Sequence, residues 1–212
     1  QDLKPENIFF IDLHRKFPGL VGGHGLHYQV LVGDFGNADL FRDAGKNSGT
    51  RPYMAPEQFQ TEVIGASAGA AMDIFALGII AHECLCDGLH PIGEITSDVW
   101  PRRAGVSRRW GEKEVWRDWA MSESKDLSCL RKYSPVALFK ALSDCLAVNP
   151  ADRPTLEDLD KYLWQSLILT DPSSAQGIRV QIDWFESNYQ AESWPYFDER
   201  IDVLRKFYSQ RP

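Results

Sequence analysis

Apolar residues are laid out along this chain in short blocks. Ile8-Phe9-Phe10-Ile11 follows the polar turn Asp2-Leu3-Lys4-Pro5-Glu6-Asn7, and a second block over 28–32 is closed by Gly33-Asp34-Phe35-Gly36. Blocks of this length between turn-forming residues predict two short strands. The stretch between them, 14–27, carries Pro18, Gly19, Gly22, Gly23 and Gly25 and predicts a loop. Residues 37–52 predict an irregular segment, 56–59 a short helical turn, and the small residues of 65–71 another loop. Asp73 then stands at an N-cap position for a helix over 74–86, apolar on nearly every face and so the expected core helix. The region 92–134 is mixed, with one helix expected over 112–121. Leu138, Leu142, Cys145 and Leu146 are at helical spacing within 135–148, and Thr155 caps a helix over 156–167. From Thr170 the pattern predicts loop, then a short helix over 198–208. There is no internal repeat; the pattern is two strands and then helices.

Composition narrows what such a chain can do. Of 212 residues, 43% are hydrophobic and 25% charged, which suits one soluble globular domain or one and a half with a sizeable core. Lys and Arg number 23 against 30 Asp and Glu, a formal charge of −7, which argues against a nucleic-acid partner held by a basic surface. No apolar run approaches the roughly 18–20 residues of a membrane span, and the longest, 74–85, contains His82 and Glu83. The first twenty residues lack a secretory signal pattern. Cys84, Cys86, Cys129 and Cys145 are irregularly spaced, and Cys84-x-Cys86 is not a zinc-knuckle gap. Reduced, mostly buried thiols and an intracellular setting, cytoplasmic or nuclear, are expected. His14, His24 and His27 invite a metal reading, but a surface insertion explains them better.

The candidate chemistry sits in two turns. Phosphoryl transfer needs a carboxylate near an acceptor hydroxyl, oxygen ligands for Mg²⁺ and a cation near the transferred group. Asp2, Lys4 and Asn7 share one tight turn, and Asp34 lies between Gly33 and Gly36. If the two strands pair as a hairpin, its base brings Asn7 and Asp34 together, and two such oxygen ligands suit hard, water-retaining Mg²⁺.

Five segments, in order, resemble the eukaryotic protein kinase family: Asp2-Leu3-Lys4-Pro5-Glu6-Asn7 its catalytic loop, Asp34-Phe35-Gly36 its metal-binding triplet, Gly49-Thr50-Arg51-Pro52-Tyr53-Met54-Ala55-Pro56-Glu57 the end of its activation segment, Asp73-Ile74-Phe75-Ala76-Leu77-Gly78 the start of its central helix, and Asn149-Pro150-Ala151-Asp152-Arg153-Pro154-Thr155 the motif before its last helix. The resemblance covers about residues 1–167 and implies an α+β, protein-kinase-like fold: a mostly helical C-terminal lobe with a short β-hairpin carrying the catalytic and metal-binding loops. Lys4 and the Gly49-Thr50 pair are similar to the Ser/Thr branch. Implied roles follow by position. Asp2 orients the acceptor hydroxyl and takes its proton; Lys4 neutralises the transferred phosphoryl group of ATP; Asn7 and Asp34 hold Mg²⁺; Thr50 shapes the substrate groove beside Asp2 and Lys4. Glu57 and Arg153 form a buried ion pair, and Asp73 accepts hydrogen bonds from the catalytic-loop backbone. The implied partner is a protein substrate.

Departures from the family pattern matter as much. The family's Gly-rich loop, strand lysine, helix glutamate and loop histidine all precede the segment that begins here, so a missing N-terminal lobe is the first expected partner, and no kinase activity is expected from these 212 residues alone. The face toward that lobe is expected to be partly apolar. Gln1 stands where many members have arginine, which makes the chain non-RD and removes the group that reads an activation-loop phosphate; Ser48 is expected to be an ordinary loop serine. Phe75 replaces a common tryptophan. The Arg102-Arg103 and Arg108-Arg109 pairs are expected to be solvated, Trp100, Trp110, Trp116 and Trp119 to pack beneath an insertion, and the aromatic-rich tail, 168–212, to pack on the lobe or on a missing partner. The alternative to an active kinase is a pseudokinase or scaffold that keeps these motifs.

Overall fold

The two apolar blocks pair. In the computed structural model, which describes residues 2–16, 28–34, 49–60, 66–101, 103–133 and 135–189, β1 (Ile8–Asp12) and β2 (Tyr28–Val32) form a two-stranded antiparallel sheet with Ile8 opposite Val32 and Asp12 opposite Tyr28. This register sets the Pro5–Asn7 turn, a single turn of 3-10 helix, beside Gly33 and Asp34. The Gly33 N–H donates to the Asn7 carbonyl at 2.8 Å and closes that end of the hairpin. At the other end the chain enters the short α1 (Leu13–Lys16), where Asp12 Oδ1 accepts from the Arg15 N–H at 3.2 Å. The sheet exposes apolar side chains on both faces: Phe9, Phe10, Tyr28, Val30, Leu31 and Val32 are all open to solvent, Phe10 by 65%.

The rest is helical and packs around α2 (Ala66–Leu85). This helix begins well before Asp73, so the loop expected over 65–71 is corrected from Ala66 onward. Ala66, Ala68, Ala70 and Ala71 are the residue type that costs least in a helix, and they outweigh Gly69. Asp73 is consequently an exposed residue inside the helix and not its N-cap. Phe75, Ile79 and Met72 are almost fully buried, and the helix packs on α5 (Ser128–Tyr133) and α6 (Val136–Cys145). Gly78 permits that approach: a Cβ there would lie 2.7 Å from Cys145 Cβ. The short α3 (Thr96–Val99) and α4 (Lys113–Ala120) enclose the other side of the core. There Trp116 is fully buried, and its Nε1–H donates to the Trp110 carbonyl at 3.0 Å. Trp100 and Trp119 pack partly buried against the same cluster, while Arg103, Arg108 and Arg109 are exposed.

Thr155 caps α7 (Leu156–Thr170), its Oγ1 accepting from the Asp158 N–H at 3.1 Å. A second correction follows. The segment expected to be loop after Thr170 is α8 (Pro172–Tyr189), which packs along α7. Asp171 accepts from Ser174 N at 3.0 Å and from Ser174 Oγ at 2.7 Å, and Pro172 follows it. An aspartate cap followed by proline is a helix-start signal, but over 172–183 α8 buries only Ala175 and Gln181, so its apolar pattern there is faint. The helix expected over 198–208 lies outside the described residues, as do Gln1, His24, His27, Phe35, Gly36 and Ser48.

Candidate active site

The catalytic turn is held by its own backbone and by one side chain. The Asn7 N–H donates to the Lys4 carbonyl at 3.0 Å, and Asn7 Nδ2 donates to the Asp2 carbonyl at 2.8 Å, so both ends of the turn are fastened by the buried Asn7. Pro5 begins the 3-10 turn with its fixed φ. Lys4 and Asp2 therefore point the same way. Lys4 Nζ donates to Asp2 Oδ2 at 2.9 Å, with the aspartate side chain 7% and the lysine side chain 20% exposed.

Thr50 completes the cluster from 48 residues away. Its N–H donates to Asp2 Oδ1 at 2.8 Å, and its Oγ1 accepts from Lys4 Nζ at 2.9 Å. Gly49 precedes it at φ 130°, a conformation open to glycine and closed to nearly every other residue. Arg51–Tyr53 then turns in a single 3-10 helix, with the Tyr53 N–H donating to the Thr50 carbonyl at 2.9 Å and the Met54 N–H to the Arg51 carbonyl at 3.3 Å. Burial alone pushes the Asp2 carboxyl upward, but hydrogen bonds from Lys4 and Thr50, with the charge of Lys4, outweigh it and leave the group below the usual carboxylate range. Asp2 is thus ionised and oriented.

Asp34 stands directly after the Gly33–Asn7 hydrogen bond, at φ 55°. This left-handed backbone is one that aspartate tolerates better than most residues. The hairpin register thus brings Asn7 and Asp34 to one end of one sheet. Asn7 Nδ2 is engaged as a donor, which leaves its Oδ1 as the acceptor of the amide, and Asp34 is exposed at the same end of the sheet. Among the described residues no group of three or more His, Cys, Asp or Glu could hold a metal by itself. A two-oxygen set of this kind fits Mg²⁺, which keeps waters and shares phosphate oxygens.

Three further expected residues are Arg153, Glu57 and Asp73. Arg153 and Glu57 meet in the interior as an ion pair. Asp73 is exposed on α2.

The structure adds residues that the motifs did not assign. A cavity of about 410 Å³ opens beside the catalytic turn, between Glu6, Phe10, Tyr53, Glu83, Thr96 and Trp100. Its walls are largely apolar, but the buried Glu83 carboxylate accepts from the Tyr53 hydroxyl at 3.1 Å and from the Thr96 hydroxyl. Burial raises the Glu83 carboxyl above its ordinary range despite those donors. A glutamate inside the most apolar helix was the signal available in the sequence. His90 is buried under the Thr50 segment: its Nε2–H donates to the Pro52 carbonyl at 2.8 Å and its Nδ1 accepts from the Ile92 N–H at 3.0 Å. It also lies against Trp116 and Trp119.

Comparison with known proteins places these residues in context. The family model described as protein kinase domain matches residues 1–165. The chain is 27% identical over 180 residues to the serine/threonine-protein kinase grp of Drosophila melanogaster, covering 81% of this chain and 28% of that protein. It is 27% identical over 170 residues to the calcium/calmodulin-dependent protein kinase cmkA of Emericella nidulans, covering 77% of this chain and 33% of that protein. To the interferon-induced, double-stranded RNA-activated protein kinase of Rattus norvegicus it is 37% identical over 89 residues, or 40% of this chain and 14% of that one. The chain thus spans about a third or less of the length of these relatives. No helix among the described residues is long and apolar enough to cross a membrane.

Proposed function

The chain belongs to the protein kinase family, and on that basis we propose that it carries the catalytic loop of a protein serine/threonine kinase, which in the whole protein transfers the ATP γ-phosphoryl group to a protein Ser or Thr hydroxyl. The observation that carries this is the closed cluster Asp2–Lys4–Thr50, in which a lysine bridges a carboxylate and a threonine hydroxyl at 2.9 Å each. The names of the relatives, serine/threonine kinases among them, support the acceptor class.

The residues divide the work. Asp2, ionised and fixed on both oxygens, accepts a hydrogen bond from the acceptor hydroxyl, aims its oxygen, and receives the proton as the P–O bond forms. Lys4 faces the same point and balances charge on the transferred group. Thr50 holds both in place and forms the floor of the substrate groove. Asn7 and Asp34 would hold Mg²⁺, which when bound neutralises the phosphate oxygens. The cavity lined by Glu6, Tyr53 and Glu83 opens beside the catalytic turn and offers a seat for acceptor side chains flanking the reacting residue. The exposed apolar hairpin supports a docking face for the portion of the protein that contributes the remaining ATP contacts. Residues 1–167 are the catalytic unit in this reading, and 168–212 its appendage. Cys86 and Cys145, buried as thiols, support an intracellular protein, cytoplasmic or nuclear.

The test is a phosphotransfer assay on the full-length protein with Mg-ATP and a Ser/Thr peptide library. Incorporation that disappears in Asp2→Asn is the expected result. Nucleotide binding without incorporation by the unmodified protein would replace this reading with a pseudokinase or scaffold.

A further inference from the structure

Lys125 sits half-buried in the turn between α4 and α5. Its Nζ reaches back to the end of α4, donating to the Ser122 carbonyl at 2.6 Å and to the Ala120 carbonyl at 3.1 Å. The rings of Phe75 and Trp119 flank the nitrogen, with centres 5.7 and 5.6 Å away, and displace water from it. Among the described residues its hydrogen-bond acceptors are these two carbonyls, and no carboxylate forms an ion pair with it.

The donor count fits a neutral amine. A lysine ammonium has three N–H groups and no lone pair, whereas the neutral amine has two N–H groups, the number accepted here, and one lone pair. The two carbonyls therefore satisfy the neutral form completely and leave the lone pair for a third partner. Lys125 also lines a cavity of about 120 Å³, with Ser122, Glu123, Leu127, Ser143 and Leu146 around it. A space of this size suits a small electrophile.

We propose that Lys125 is a carbon dioxide-binding site, its amine adding CO2 reversibly to form a carbamate in this cavity.

The nitrogen lone pair attacks the carbon of CO2 and an N–C bond forms. One C=O electron pair moves onto oxygen, and the nitrogen gives one proton to water. One amine and one CO2 thus become one carbamate and one proton, with nothing oxidised or reduced. Burial favours the reactive form: it pushes the amine down to about 8, against 10.5 when free, with Glu123 opposing the shift and Arg153 adding to it. About a tenth of the amine is then neutral at pH 7, against roughly one part in three thousand for a free lysine. Of these two charged groups, Arg153 also favours the negative carbamate and the exposed Glu123 disfavours it.

The adduct has a physical route to the catalytic segment. Its nitrogen keeps one N–H, so one carbonyl at the end of α4 loses its donor. Trp119 belongs to that last turn and lies against His90, with ring centres 4.7 Å apart, and His90 holds the Pro52 carbonyl just beyond Thr50.

The experiment equilibrates the full-length protein with isotope-labelled bicarbonate and CO2, ethylates carbamates with a trialkyloxonium salt so that they survive digestion, and maps the marked peptides by mass. The expected mark is on Lys125, saturates with CO2, and exceeds that on the exposed Lys140 and Lys161 by more than about tenfold. The same mapping in urea, on the unmodified sequence, reads the contribution of the fold and depends on no variant folding; there the Lys125 mark should fall to the level of the other two lysines. Two results overturn the proposal: no mark on Lys125 in the folded protein at saturating CO2, or a mark no greater than that on Lys140 or than that on Lys125 in urea.

Discussion

Arg153 and Glu57, 96 residues apart in sequence, are joined by two parallel hydrogen bonds in the interior, Nη1 to Oε1 at 2.6 Å and Nη2 to Oε2 at 2.8 Å. The arginine side chain is wholly buried and the glutamate 8% exposed. The guanidinium is saturated: Nε donates to the Ala147 carbonyl, Nη1 also to Ala71 and Nη2 also to Val148. One side chain therefore ties the segment after Thr50, the N-terminal half of α2 and the turn before α7.

Arg153→Ala should destabilise the protein by about 3–5 kcal/mol, because it leaves a buried carboxylate and three carbonyls without their donor. Arg153→Lys should recover only part of the loss, since an ammonium group cannot make the paired contact. Urea denaturation of the full-length variants measures both, and a loss within about 0.5 kcal/mol for Arg153→Ala would remove this pair from the account of stability.

Asp2→Asn should lower kcat by about 10²–10⁴-fold while leaving nucleotide affinity nearly unchanged, because the proposed role of Asp2 is toward the acceptor hydroxyl and not the nucleotide. Asp34→Ala should weaken Mg-ATP binding as well as turnover. Steady-state kinetics beside nucleotide titration distinguish the two, and the same kinetic profile in both variants would contradict the division of roles.

Thr50 makes one contact through its backbone and one through its hydroxyl, and the two can be separated. Thr50→Ala keeps the N–H to Asp2 and loses the acceptor for Lys4. A hydrogen bond to a charged group is worth roughly 1.5–3 kcal/mol, so kcat/KM should fall about 10–100-fold, and Thr50→Ser should restore most of it. Equal activity of the alanine and serine variants would show that the hydroxyl is idle.

Stability should fall as the medium is acidified toward pH 4 through His90. Burial holds its imidazole at about 4, against 6.5 when free. The unfolded chain therefore binds the proton first, and folded-state stability is lost as pH falls from 6.5 to about 4, by up to roughly 3 kcal/mol. Protonation would also set Nδ1–H against the Ile92 N–H. His82 is shifted in the same direction by burial, whereas Glu83, raised by burial, acts in the opposite one. The quantity to measure is thus the difference in pH dependence between the unmodified protein and His90→Gln, in which this component should vanish.

Local chemistry explains which parts were legible in the sequence. The hairpin could be read because each strand is one apolar block between turn formers, and the core helix because its residues are apolar on every face. The start of α2 was hidden by small residues, and Asp73, which has the side chain of a cap, was overridden by the alanines before it. α8 was hidden by its thin buried stripe. Asp2, Lys4 and Asn7 were legible because they share one turn, where spacing is geometry. The contacts of Glu83 with Tyr53 and Thr96, and of His90 with Pro52, join segments 13 to 38 residues apart, and no local pattern encodes them.

The hairpin that positions Asn7 and Asp34 carries a liability of a different kind. Among the described residues the sheet has two strands and is all edge: each strand presents an outer row of backbone donors and acceptors, flanked by exposed aromatic and β-branched side chains. Such a row is a template for adding another strand, from a second copy as readily as from the chain's own cover. The same segment that aligns the catalytic turn is therefore where self-association would begin, and substitutions that loosen its cover would be felt first as lost solubility and only later as lost activity.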